Sequence, residues 1–176
     1  GQGWRTTWRQ AHGLDSAARV GETLVVEPGW ENAVESALGQ LIEGVLVESP
    51  EALVEALGDL GEGRLTLVSP EHDAHDYAST ALAAKVQGPA AIRRILSRLH
   101  AAETLADARA LLSRLQDDES VITRLGERLG AGWVRVLRSG AAKQGALLRA
   151  REIQLLRGEI DQLQQREHTL NDSLTR

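Results

Sequence analysis

Val25 to Glu48 reads VVEPGWENAVESALGQLIEGVLVE, and the order of elements in this stretch decides the class of fold. Thr23 to Glu27 (TLVVE) is rich in β-branched residues and stops at Pro28-Gly29, which predicts a strand running into a turn. From Trp30 to Leu41, Ala33, Val34, Ala37, Leu38 and Leu41 recur at helical spacing, while Glu31, Asn32, Glu35 and Gln40 take the opposite face. Gly39 costs such a helix about 1 kcal/mol relative to Ala, and is best tolerated where another backbone approaches closely. Val45 to Glu48 then predicts a buried strand.

Toward the C-terminus, Ser49 as N-cap, Pro50 at the first helical position and Glu51 in the first turn open a further helix. Leu53, Val54 and Leu57 form its expected inner face, Gly58, Gly61 and Gly63 end it, and Arg64 to Val68 (RLTLV) predicts another strand. This alternation makes residues up to Val68 a small α/β lobe. Ser69 to Ser79 (SPEHDAHDYAS) is polar and reads as a surface connection. His72, Asp73, His75 and Asp76 are the residues that suggest a metal, and a solvated linker explains them better.

A second lobe begins near Ala81, with a short strand at Lys85 to Gln87 and a helix from Pro89. Ile92, Ile95, Leu96 and Leu99 are expected to face inward, and Arg93, Arg94 and Arg98 outward. Leu105 to Leu115 repeats the amphipathic pattern with Leu105, Ala108, Leu111, Leu112 and Leu115 inside. Asp117-Asp118 turns the chain, Glu119 to Thr123 is a strand, Gly126 makes a turn, and Trp133 to Leu137 (WVRVL) alternates as a final strand. Helix followed by strand recurs about 55 residues apart, a faint sign of two related lobes. Upstream, Trp4, Trp8 and Ala11 predict a short helix stopping at Gly13.

The tail, Leu147 to Arg176, carries a narrow apolar seam: Ile153, Leu156, Ile160, Leu163, Leu170 and Leu174. That is a coiled-coil rhythm, and a seam this narrow needs a partner helix.

The composition narrows the function. With 42% hydrophobic residues in 176, the chain can bury one ordinary core or two small lobes. The absence of Cys excludes a disulfide framework, a Cys-based zinc site and a thiol nucleophile, and fits a reducing compartment. No apolar run approaches the roughly 18 residues of a membrane span, and the chain reads as soluble. The absence of Met, even at position 1, suggests an excised piece, and leaves open whether Gly1 to Gly3 belongs to it. Residues 1 to 84 hold 4 Arg and 14 acids; residues 85 to 176 hold 16 basic residues and 11 acids. A basic second half suits nucleic acid if its cations share a face, and solvated helix faces otherwise.

Enzyme motifs fail on inspection. Gly140 to Ala146 (GAAKQGA) lacks the Lys that follows the second Gly of a phosphate loop. Gly126, Gly130 and Gly132 precede a strand where a dinucleotide fingerprint opens a helix, and no Gly-x-Ser-x-Gly elbow occurs. The carboxylates of the first lobe lie at helical spacing on polar faces, which fits solvation better than acid and base work. No catalytic residue, metal or cofactor is expected.

Taken in order, Val25 to Glu48, RLTLV, LADARALLSRLQDDESVITRLGERL (Leu105 to Leu129) and LLRAREIQLLRGEIDQL (Leu147 to Leu163) resemble the hinge domain of structural maintenance of chromosomes (SMC) proteins, most of all the bacterial ones. The resemblance covers residues 13 to 165. It implies an α+β (mixed α/β), two-lobed hinge with an antiparallel coiled-coil stub at its termini. The expected division is 1–13 N-terminal arm helix, 14–70 first lobe, 71–84 connection, 85–140 second lobe and 141–176 C-terminal arm.

The resemblance also implies a homodimer formed lobe against lobe by sheet edges, and ATPase heads at the far ends of the arms, so that no ATP hydrolysis belongs to this chain. Its glycine-rich dimer contact maps to Gly126, Gly130, Gly132, Trp133, Val134, Val136 and Gly140, although the family's usual Gly-Gly pair does not occur. DNA contact maps to Lys85, Arg93, Arg94, Arg98, Arg135, Arg138, Lys143 and Arg149. Other subunits of the SMC complex are expected to bind elsewhere on the full-length protein, the location to be cytoplasmic at the nucleoid, and no membrane to be involved. Trp4 and Trp8 are expected against Ile153 and Leu156, at the base of the tail helix. The alternative reading is a small α/β ligand-binding or catalytic domain whose tail helix serves an unrelated oligomer.

Overall fold

The computed structural model describes residues 8–137 and 146–174. Its centre is a helix, α3 (Glu31–Leu38), which buries Ala33, Val34 and Leu38. Around it run, in chain order, helical turns at residues 8–11 (α1) and Val20–Thr23 (α2), strands β1 (Val25–Val26), β2 (Val45–Leu46) and β3 (Leu67–Val68), then β4 (Val86–Gln87). Helix α4 (Ala90–Leu96), strand β5 (Leu99–Ala102), helix α5 (Leu105–Leu111), strands β6 (Ser120–Thr123), β7 (Arg128–Gly130) and β8 (Trp133–Arg135), and the long α6 (Ala146–Leu174) complete it.

Three small sheets result. β1 pairs antiparallel with β4, Val25 opposite Gln87 and Val26 opposite Val86. β2 and β3 pair in parallel. The third sheet has the order β5-β6-β7-β8, with β5 and β6 parallel because α5 carries the chain across, and tight turns making the rest antiparallel. The main core draws on segments far apart along the chain: Val20, Trp30, Val34, Leu82, Leu96 and Ile122 are all nearly water-free. Each such side chain contributes roughly 1.5 to 3 kcal/mol on burial. A smaller core holds Ala102, Ala108, Val121 and Leu129 between α5 and the third sheet.

Several expectations need correction. The helix expected from Trp30 to Leu41 stops at Leu38 and continues as a 3-10 turn, Gly39–Glu43; Gly39 caps α3 with φ +55, and a Cβ there would meet nothing within 4 Å. Among the described residues, no second backbone comes within 4 Å of that position. The segment after Ser49 forms two 3-10 turns, Pro50–Leu53 and Glu55–Asp59, and not an α-helix. Three residues per turn align Leu53 with Ala56, which pack with Leu60, and rotate Val54 and Leu57 into solvent. Ile95 and Leu105 are exposed as well, because α4 and α5 are short and present only one stripe to the core. Strands β5 and β7 have no counterpart among the expected elements.

Trp8 does not pack on Ile153 and Leu156. It lies with Leu14 and Val45, and its Nε1–H donates to the Ala56 carbonyl at 3.2 Å. A buried indole needs an acceptor, and the 3-10 turns offer a carbonyl that a regular helix would have used itself. Trp4 lies outside the described residues. In α6, Leu147 is buried in the main core, while the seam from Ile153 to Leu174 is 50% to 84% exposed. The helix fits a coiled-coil stub.

Candidate dimerisation edge and cationic surface

The sheet that packs on α5 ends at β8, which bonds to β7 on one side and to no described strand on the other. Trp133, Val134, Val136 and Leu137 are all exposed there. An open edge with this much apolar surface is a template for pairing with another chain, and nothing in β8 blunts it except Arg135. Gly130 faces Trp133 across the β7–β8 ladder, and a Cβ at position 130 would run into the indole. The absent side chain leaves the room that the ring takes up. The Arg128 and Arg135 guanidinium groups stand 5.6 and 5.9 Å from the ring centroid. Arg128 also donates from Nε to Ser120 Oγ at 2.9 Å, and its pKa is lowered by burial first and by the like charge of Arg135 second.

The predicted contact glycines divide. Gly132, with φ +82, makes the β7–β8 turn and stands open. Gly126, with φ +86, belongs to the β6–β7 turn and is pressed against α3 of the same chain: a Cβ would lie 3.0 Å from that of Ser36. Ser36 Oγ donates to the Gly126 carbonyl at 2.9 Å. Gly126 thus serves an internal contact. Gly140, Arg138 and Lys143 lie outside the described residues.

The predicted DNA cations divide too. Arg93 is enclosed: it meets Asp73 at 2.8 Å, donates to the Val86 and His75 carbonyls, and sits over Tyr77. Lys85 pairs with Glu27 at 3.4 Å and lies over Trp30. Arg98 makes an exposed pair with Asp118. Arg94, Arg135 and Arg149 are exposed. Arg93 and Lys85 already commit their donors inside the chain, which sets them apart from the exposed cations.

Three groups carry no signal in the sequence. Arg124 grips Glu103 with two hydrogen bonds, one of 3.0 Å, and covers Trp30. That grip holds the Glu103 carboxyl below its ordinary pKa and raises the Arg124 guanidinium. Glu119 is lowered as well, first by the Gln116 backbone N–H and then by His100, whose Nε2 lies 2.7 Å away. Arg151 of α6 reaches Glu31 of α3 at 2.9 Å. Among the described residues, no group of acidic, His or Cys side chains has a metal-holding arrangement, and no helix is long and apolar enough to cross a membrane.

Comparison with known proteins agrees with this architecture. Residues 15–112 match the SMC proteins Flexible Hinge Domain family. A chromosome partition protein Smc of Xanthomonas oryzae pv. oryzae (strain KACC10331 / KXO85) is 65% identical over 162 residues, covering 92% of this chain and 14% of that protein. The chain therefore spans about a seventh of the length of that curated relative. An asymmetric dimer of the Geobacillus stearothermophilus SMC hinge domain superposes with TM-score 0.66 at 20% identity, covering 94% of this chain and 75% of that one. A Pyrococcus furiosus Smc hinge domain with an extended coiled coil gives TM-score 0.52 at 19% identity, covering 98% and 73%. Sequence order, sheet layout and a coiled-coil helix on a mixed α/β body lead to one assignment: the chain belongs to the flexible hinge domain family of SMC proteins.

Proposed function

We propose that this chain is the homodimerisation hinge of a bacterial chromosome partition protein, joining two coiled-coil arms and performing no reaction itself. The observation that carries the reading is the open apolar edge of the third sheet, Trp133 to Leu137. Pairing that edge with a strand of a second copy satisfies its backbone groups and covers its side chains in one step. The Geobacillus stearothermophilus hinge domain is itself a dimer, which supports the reading. α6 is then one strand of an arm, and its exposed seam awaits the arm's other helix.

The exposed Arg94, Arg98, Arg135 and Arg149 are the cations left for DNA, in contacts that are sequence-independent and fade steeply with salt. The setting is the bacterial cytoplasm, at the nucleoid, with accessory subunits of the complex on other parts of the longer protein. Light scattering tests the dimer. The chain is expected at twice its mass of 19.1 kDa, and Val134→Lys with Val136→Lys at the single mass with unchanged circular dichroism. A wild-type monomer at micromolar concentration would sink the proposal.

A further inference from the structure

Among the described residues, helix α6 holds the body of the protein by its first turns. Leu147 enters the main core, Arg151 reaches Glu31, and from Ile153 onward the seam is exposed. Glu31 is a carboxylate nearly sealed from water, its side chain 4% exposed, so its charge and lone pairs must be met locally. Each oxygen has its own donor. Oε2 accepts the Gly29 backbone N–H at 2.8 Å, and Oε1 accepts from Arg151 Nη1 at 2.9 Å. Beside this pair lies a cleft of about 250 Å³, with Leu24, Val25 and Pro28 on the body and Ala150 and Gln154 on α6. Interiors are ordinarily close-packed, so empty volume at the root of a helix lets it tilt while giving up little packing.

On the same helix α3, Ser36 holds the β6–β7 turn through Gly126, and Trp30 just before it is covered by Arg124 of that turn. α3 therefore stands between α6 and the sheet that ends in β8. We propose that the Glu31–Arg151 pair is a latch that sets the direction in which the arm leaves the hinge, and that its opening frees α6 to tilt into the neighbouring cleft. The inference rests on reading α6 as an SMC arm.

The test uses the whole chain. Because it has no Cys, Asp107→Cys and Gln162→Cys place two spin labels cleanly, on α5 and on the outer part of α6. Electron spin distance measurement, with labelled chains diluted in unlabelled ones, is expected to give one narrow distance. Glu31→Gln keeps an acceptor for Gly29 and removes the charge; Arg151→Gln changes a half-exposed side chain that the core does not need. Each is expected to lose the narrow distance, and the double variant to be no broader than either, since both remove one interaction. A narrow, unshifted distance in both single variants overturns the latch, as does a broad one in the parent. Light scattering on the same samples separates the two proposals: a monomeric parent with latch-dependent distances would remove the homodimer reading and keep the latch.

Discussion

Two tryptophans of this chain each have two cations near the ring, and their fates differ. Trp30 has Lys85 4.8 Å and Arg124 4.6 Å from its ring and is 1% exposed. Trp133 has Arg128 and Arg135 somewhat farther off and is 41% exposed. A cation over an aromatic face gains about 0.5 to 1 kcal/mol in the open, and about 2 or more when desolvated. The same chemistry thus locks the core at Trp30 and leaves a surface at Trp133. What separates them is position: Trp30 precedes the central helix and lies in the main core, whereas Trp133 begins the last strand of one sheet. Trp30 is also kept for its faces, since its buried Nε1–H finds no acceptor among the described residues.

The comparison breaks first at Trp30. Trp30→Ala is expected to cost about 3 to 5 kcal/mol, in the range of a large aromatic removed from a core, and urea denaturation followed by circular dichroism reads it directly. Trp30→Phe is expected to cost much less, because it sheds an unsatisfied donor while keeping a ring beside the cations. A loss equal to that of Ala would show that the indole nitrogen matters after all.

At Trp133 the perturbation is smaller. Gly130→Ala puts a methyl group where the indole lies, and is expected to cost about 1 kcal/mol, the low end of overpacking, because the ring can swing outward. In a chain labelled with fluorotryptophan, the resonance of Trp133 should shift while that of Trp30 stays; movement of both would mean that the two sites are not independent.

The smallest effect comes from the pair that covers Trp30. Glu103 has its folded-state pKa depressed by Arg124, so the stability it contributes is present above the unfolded carboxylate pKa and is lost as pH falls through the folded value. Thermal melting below about pH 5 should fall less steeply in Glu103→Gln than in the parent. Glu103 is exposed, so the difference is a slight one, and equal slopes would remove this pair from the acid response.

Much of the fold is legible in residue order. The Val25 to Glu48 run, the strands at Val45, Leu67, Val121 and Trp133, and the seam of α6 all announce themselves by local periodicity, and together they carry the family resemblance. β5 and β7 do not. Leu99 to Ala102 reads LHAA and Arg128 to Gly130 reads RLG, without a β-branched residue between them; they are strands because β6 lies between them and bonds to both. The site residues behave alike. Arg93 has the spacing of an outward cation, yet its Asp73 partner lies twenty positions away. Gly126 and Gly132 look interchangeable as turn glycines, and only the fold sends one against α3 and leaves the other open. The sequence alone determined which segments are amphipathic, where the charge lies and which family they resemble, because these are properties of neighbours along the chain. The tertiary structure decided which cations are already paired, which glycine is pinned, which strand is left as an edge and what holds the arm, because each depends on a partner that the chain brings from far away.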